Sequence, residues 1–420
     1  MQIRQTEDPI VITGIGLITS VGKTRETTWE AMRNGERNMR FMDECCGIST
    51  GKVICAEVDI PHTAGRLKVL PMCESAAAEA ISDARIQWDK VDRSRFGSSL
   101  NAHVGDTRWL RDRGRCNDSS LVPWHTQWLP NSTASHIPNL YGLGGPRLSH
   151  STACASSLVS VLAAARSIRD GQCDIAIAGG ADAIDPIFAA GFRKMRVLAT
   201  AENPNEACRP YDVNRNGFVM GEGGAVLVLE KLSHAVRREG VRIYAELVSS
   251  CLVGDAHHVT GLDKESEALV YAIRTALDRA GISPAEVGYV SSHGTGTEQN
   301  DLAEMRALAT VFGRHVSELY VSSSKSMLGH MVNAAGGAEL AVTLLAMRDG
   351  FAPPTMNVTS LDPECQFDCL PQSGKRRRFQ YALKLSLAFG GHLMAVVLRR
   401  WDAQHLGFEY TDASPVRRAA

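Results

Sequence analysis

Apolar residues in this chain fall in short continuous runs that alternate with longer stretches of helical spacing. "IVITGIGLIT" (10–19) is an apolar run of strand length, and "RETTWEAMRNG" (25–35) has the spacing of a helix that stops at Gly35. A second helix is predicted near 69–85. Residues 103–140 hold three tryptophans and many polar residues without periodic runs, which predicts a surface excursion or a dimer face. After "GPRLSHSTA" comes a helix over 154–170, apolar nearly all round and therefore expected to be buried. "CDIAIAGGADA" (173–183) then reads as a strand covered on both faces, so the order is that of a βαβ unit.

The pattern resumes further on. "GFVMGEGGAVLVLEK" (217–231) predicts two strands around glycines, and "RIYAELVSSCLV" (242–253) another strand. Helices follow at 264–280, 300–313 and 329–348, with strands at 287–292 and 319–323 between them. "YALKLSLAF", a Gly-Gly pair and "LMAVVLRR" predict adjacent closing strands, and 403–420 a loosely held tail. "AISDARI" (80–86) and "ALDRAGI" (276–282) each end a helix and lead to a strand. That echo suggests two similar α/β halves, 1–250 and 251–402.

The chain has 420 residues, 44% apolar and 22% charged, with a formal net charge of −1. The length fits one large composite domain or two fused halves. The near-neutral balance gives no global attraction to nucleic acid or membrane. No apolar run approaches membrane-spanning length. The 11 cysteines are odd in number, and "MQIRQTEDPIVITG" lacks a secretory pattern, so reduced thiols in a cytoplasmic protein are expected.

Candidate chemistry gathers at predicted strand-to-helix junctions. Cys154 in "SHSTACASSL" stands where a helix should begin, among small residues that leave room for a substrate. A helix dipole there would lower its pKa and favour the thiolate. Taken alone it reads rather as a small buried apolar residue. His293 in "SSHGTGT" follows the apolar "VGYV" at a strand's C-terminal end, where α/β folds bind ligands. His330 lies in "SSSKSMLGHMVNAAGGAEL", with Lys325 five residues before it and Glu339 nine after, a pair suited to orient the imidazole or simply to form a structural ion pair. "LAFGGHL" offers backbone N–H groups at a glycine bend, a candidate oxyanion hole or an ordinary hairpin. One thiol with two imidazoles suits acyl transfer.

Together, "STACASS", "SSHGTGT", "KSMLGHMVNAAG" and "AFGG", with "CRPYDVNRNGFVMGEGGAVLVLEK" and "VITGIGLITSVG", resemble the elongating β-ketoacyl-acyl-carrier-protein synthases, over residues 9 to 400. The resemblance implies an α/β thiolase fold, five-layered αβαβα built from two similar halves, in a homodimer. It implies Cys154 as acyl-accepting nucleophile, and His293 and His330 as the residues that bind malonyl and promote its decarboxylation. Lys325 and Glu339 would support His330 and the surrounding network. The N–H groups of Cys154 and Phe389 would form the oxyanion hole, with Phe389 as gate. Thr260, Thr295 and Thr297 would contact phosphopantetheine. The implied partner is an acyl carrier protein, with no cofactor and no metal.

Departures from the family pattern accompany the match. The gate usually reads Gly-Phe-Gly-Gly-Thr-Asn and here reads Ala388, Phe389, Gly390, Gly391, His392, Leu393. Ala388 should stiffen the gate, and His392 puts an imidazole where a small hydroxyl is usual. "GSSLNAHVGD" replaces a glycine-rich stretch, and 254–266 is short after Thr260. These departures point to an unusual lipid or polyketide-like chain. Arg66, Lys68, Arg193, Lys194 and Arg196 are candidates for a basic rim facing an acidic carrier, and "GKRRRF" (374–379) is expected to be a solvated edge. An altered acyltransferase or hydrolase, or a non-catalytic heterodimer partner, are the alternatives.

Overall fold

The computed structural model describes residues 8–42, 52–61, 66–102, 127, 131–263 and 265–402. The expected tail at 403–420, the cysteine-bearing stretch at 43–51 and most of the excursion at 103–140 lie outside the described residues; the end of that excursion is a helix, Ser132–Tyr141.

The first half contributes strands β1 (Ile10–Ile18), β2 (Phe96–Ala102), β3 (Arg147–Leu148), β4 (Ile175–Asp182) and β5 (Gly223–Lys231). The second contributes β6 (Ala245–Gly254), β7 (Val287–Ser291), β8 (Tyr320–Ser322), β9 (Tyr381–Ala388) and β10 (His392–Arg400). Their order across the sheet is β8-β7-β9-β10-β6-β1-β5-β4-β2-β3. Each half therefore uses its third, second, fourth, fifth and first strand in that sequence from its outer edge. The pairing senses repeat as well: β2–β3 and β2–β4 are parallel, as are β7–β8 and β7–β9. The echo seen in two short peptides thus extends to the whole topology. The halves join where Val11 faces Glu246 and Ile12 faces Ala245. Residue 250 lies inside β6, which pairs with β10 along most of its length and with β1 at its start.

Helices α1 (Val69–Asp83), α2 (Ser156–Arg169), α3 (Glu267–Ala280), α4 (Glu298–Phe312) and α5 (Ala335–Asp349) complete the layers. α1 covers the outer face of β1 and β5, and α3 that of β6 and β10, with α4 against α3. α2 and α5 pack on each other between the two five-stranded halves of the sheet. This is the expected αβαβα order of a thiolase fold. Both central helices are buried nearly all round, which explains their lack of a polar face. A methyl on Gly336 would come within 2.8 Å of the Leu158 side chain, so the helices meet closely because that position is glycine. No helix among the described residues is long and apolar enough to cross a membrane.

Each central helix begins with the same device. Ala153 (φ 47) and Val332 (φ 38) take left-handed conformations unusual for residues with a Cβ, and each stands at a 3-10 turn that leads into α2 or α5. The predicted helix at 329–348 is broken at this point: a short helix Lys325–Leu328 precedes it, and His330 lies between the two. Strand β2, "FGSSLNA", is the strand expected after "AISDARI", although its buried residues include Ser98, Ser99 and Asn101.

Candidate active site

The turn at Ala153–Ala155 lifts Cys154 to the mouth of α2 and into a cavity of about 1160 Å³. The turn is held from within. Ser156 Oγ accepts from Thr152 N–H at 2.9 Å and donates to Ala153 C=O at 2.7 Å. Asp182, at the end of β4, accepts the N–H of Asn333 from the matching turn of the other half. The thiol sits against the inner core, and burial pushes its pKa up to about 12, against the opposing pull of Lys325 and of the Phe389 N–H that hydrogen-bonds its sulfur. The dipole argument from sequence gave the wrong sign. α2 starts at Ser156, beyond the cysteine, and desolvation outweighs the pull of Lys325 and of the Phe389 N–H.

His293 follows β7 in a loop fixed by carboxylates. Glu304, on α4, accepts the N–H groups of His293 and Gly294, both at 2.6 Å. Asp301, one turn earlier, accepts from Gly296 and Tyr211. Gly294 (φ 39) and Gly296 (φ 78) permit the tight path. Crowding and burial raise the Glu304 carboxyl to about 7. Neither acid was singled out from the sequence. The available signal was the i, i+3 carboxylate pair in the first turns of the helix after "HGTGT".

His330 comes from the break before α5. Its N–H donates to Val219 C=O at 2.7 Å, and its C=O accepts from Gly221, so the backbone is pinned as a bridge to the first half. Its ring meets His293 edge-on, centroids 5.3 Å apart, with Phe218 on another side at 5.2 Å. Its Nδ1 is buried and has no hydrogen-bond partner. Lys325 reaches the other imidazole of the pair. Its Nζ lies 3.2 Å from Nδ1 of His293, donates to His293 C=O at 2.5 Å, and pairs with Glu339. Chain proximity suggested His330 as its neighbour, but the helical turn Lys325–Leu328 points the long side chain back toward β7. Burial, and then the Lys325 charge, hold both imidazoles well below the ordinary histidine pKa. They are neutral at pH 7.

The sulfur of Cys154 and one ring nitrogen from each histidine all lie within 4.8 Å of one another. The same three donors could in principle hold a metal ion, but the lysine charges that depress the imidazoles also oppose a cation. The turn at 388–392 flanks this cluster. Ala388 ends β9 paired with His392 at the start of β10, and the turn between them uses Gly390 (φ 86) and Gly391 (φ 76). Gly390 N–H donates to Val259 C=O at 2.7 Å, and Asp255 N–H to Gly391 C=O at 3.0 Å, so the gate is tied to the 255–260 loop. Ala388, Phe389, Thr260, Thr295 and Thr297 line the cavity, and the Thr295 and Thr297 hydroxyls hydrogen-bond at 2.8 Å. His392 lies over Gly390 and outside the cavity lining.

Residues 69–235 match the profile of the "Beta-ketoacyl synthase, N-terminal domain" and 244–359 that of the "Beta-ketoacyl synthase, C-terminal domain". The chain belongs to the β-ketoacyl synthase family. The 3-oxoacyl-[acyl-carrier-protein] synthase 2 of Staphylococcus aureus (strain COL) is 34% identical over 421 residues, covering 94% of this chain and 99% of that protein. A chain of the AntDE:AntF structure, a type II PKS acyl-carrier protein in complex with its ketosynthase bound to the hexaketide, superposes with a TM-score of 0.87. It is 30% identical, and the match covers 94% of this chain and 100% of that one. A β-ketoacyl synthase from Burkholderia phymatum STM815 gives 0.83 at 28% identity, covering 94% and 100%. This β-ketoacyl synthase is a condensing enzyme of the acyltransferase type.

Of the basic rim residues, Arg196 lines the cavity, and Arg193 and Lys194 end the helix Pro186–Lys194 beside it. Arg66 is engaged by Glu74, and Lys68 by the buried Glu222. These two are therefore committed internally rather than free to meet a partner. Lys375 and Arg376, within "GKRRRF", form an exposed two-residue strand, as a solvated edge should.

Proposed function

We propose that this condensing enzyme joins an acyl group held on Cys154 to a malonyl unit, both delivered on the phosphopantetheine arm of an acyl carrier protein. The observation that carries the proposal is the convergence of one thiol and two neutral imidazoles at the wall of a large cavity. In the first half-reaction the Cys154 sulfur attacks the thioester carbonyl. A new S–C bond forms, and the carrier thiol leaves with the proton that Cys154 gives up. The N–H groups of Phe389 and Cys154 stabilise the transient oxyanion.

In the second half-reaction the C–CO2 bond of the malonyl group breaks, CO2 departs, and its electron pair passes into an enolate. Lys325 donates to Nδ1 of His293, which leaves the Nε2 proton free to donate to the enolate oxygen. His330, also neutral, supplies a second donor. Neutral donors stabilise the enolate without protonating its carbon prematurely. That carbon attacks the acyl carbonyl, the C–C bond forms, the C–S bond to Cys154 breaks, and the released thiolate takes up a proton from water. Thr295 and Thr297, with Thr260 at the mouth, hydrogen-bond the arm, and Phe389 with Ala388 and Gly390 gates the nucleophile.

The chain carried is proposed to be polyketide-like rather than that of ordinary fatty acids. The altered gate and the likeness to a ketosynthase described with a hexaketide support this. Assembly as a homodimer, as in the family, and a cytoplasmic setting suited to free thiols complete the reading. The test separates the half-reactions. His293→Ala and His330→Ala should still accept an acyl group on Cys154 but lose CO2 release from malonyl-carrier. Loss of acylation alone, with CO2 release intact, would contradict the assignment.

A further inference from the structure

Strand β9 reads "YALKLSLA", and a lysine interrupts its apolar pattern at a position that is fully buried. Leu383, Leu385 and Leu387 face the outer core under α3, whereas Ala382 and Ala388 belong to the inner core beside α2 and α5. Alternation along the strand puts Lys384 on the inner face with Ser386, whose hydroxyl bonds the Cys154 carbonyl. A buried ammonium is retained only where it is paired. Its Nζ lies 2.6 Å from Oε2 of Glu339, while Lys325 holds Oε1, and the three side chains are at most 3% exposed. Lys384 also donates to the carbonyls of Ser292, at 3.3 Å, and Leu385. Ser292 directly precedes His293.

We propose that Lys384 is a positioning residue for the decarboxylation half-reaction, acting through Glu339 and the Ser292 carbonyl on Lys325 and His293. One carboxylate between two ammonium groups leaves a net positive charge beneath the imidazoles. By occupying Oε2, Lys384 fixes the carboxylate so that Oε1 faces Lys325, whose other two donors are then directed to His293. By grasping Ser292 C=O it holds the start of the histidine loop against β9. The charged and titratable groups that bear on the imidazoles are Lys325 from the short helix, Lys384 from β9, Glu339 from α5, Glu304 and Asp301 from α4, and Cys154 from the turn before α2. The two lysines oppose imidazole protonation together with burial. Removing one of them lets the histidines take up a proton at higher pH.

This inference rests on the condensing reading, and its test keeps the two apart. The rate of CO2 release from malonyl-pantetheine and the rate of Cys154 acylation are measured across pH for the wild type, Lys384→Met and Lys384→Arg, alongside the thermal midpoint of each. The expected result is that Lys384→Met keeps Cys154 acylation near the wild-type rate, loses about tenfold or more in CO2 release, and moves the acid limb of that reaction to higher pH. Lys384→Arg, which keeps the charge, should restore the wild-type limb. Wild-type CO2 release and an unmoved acid limb in folded Lys384→Met would overturn the inference. Equal loss of both reactions in both variants, tracking a lowered thermal midpoint, would also overturn it, because a purely structural role predicts that result. A wild-type enzyme inert toward malonyl-pantetheine would overturn the condensing reading and this inference with it.

Discussion

Lys325 and His293 are joined twice: the ammonium lies 3.2 Å from the imidazole Nδ1 and donates to the same residue's carbonyl at 2.5 Å. The two contacts fix the ring's tautomer and place a positive charge beside it. Burial and that charge both oppose protonation, so the imidazole stays neutral below the ordinary histidine value. Condensation should therefore hold its rate as pH falls through 6.5. Lys325→Met should lower the rate by about tenfold or more and shift the acid limb upward in pH. Steady-state pH profiles of CO2 release check this.

Glu339 is the single anion between two buried cations. Glu339→Gln would remove the carboxylate that both ammonium groups touch. Removing one partner of a buried pair costs about 3–5 kcal/mol. The variant should show a matching drop in unfolding free energy, read from its denaturant midpoint, together with loss of condensation.

The Cys154 thiol, raised to about 12, is protonated in the free enzyme. Its alkylation by iodoacetamide at pH 8 should be slower than that of an ordinary cysteine by about two orders of magnitude. The rate should still climb beyond pH 9, the ordinary thiol value. Peptide mass spectrometry of Cys154 against pH measures this. A plateau near pH 7 would mean an activated thiolate instead.

Ala388 places a methyl group in the cavity wall, at the end of β9 where the strand pairs with His392. Ala388→Gly should speed acylation of Cys154 by bulky acyl donors and cost about 0.5–1 kcal/mol of stability through added backbone freedom. Pre-steady-state acylation rates and denaturant midpoints check the two effects together.

Much of this architecture was legible in hydrophobic periodicity, because the strands are covered on both faces and the central helices on all sides. The cluster was legible through its motifs, since Cys154, His293 and the Phe389 bend all stand at element ends. What escaped were contacts made across the sandwich. Lys384 reads locally as a charge breaking a strand, and its partner Glu339 lies on a remote helix. Glu304 reads as a solvated helix residue, yet it is fully buried beneath the His293 loop. Lys325 stands nearer to His330 in sequence, yet the turn that carries it aims the side chain at His293. The sign of the Cys154 shift failed for a related reason: a helix end can be read from a sequence, but the desolvation around it cannot.

The most direct measurement follows the mass of Cys154 through one turnover. The enzyme is loaded with acyl-carrier, the acyl adduct is located on the Cys154 peptide by mass spectrometry, and malonyl-carrier is then added. The adduct should disappear at the rate at which CO2 and a 3-oxoacyl-carrier product appear. An adduct that persists, or that is released as the free acid without a 3-oxoacyl product, would contradict the account.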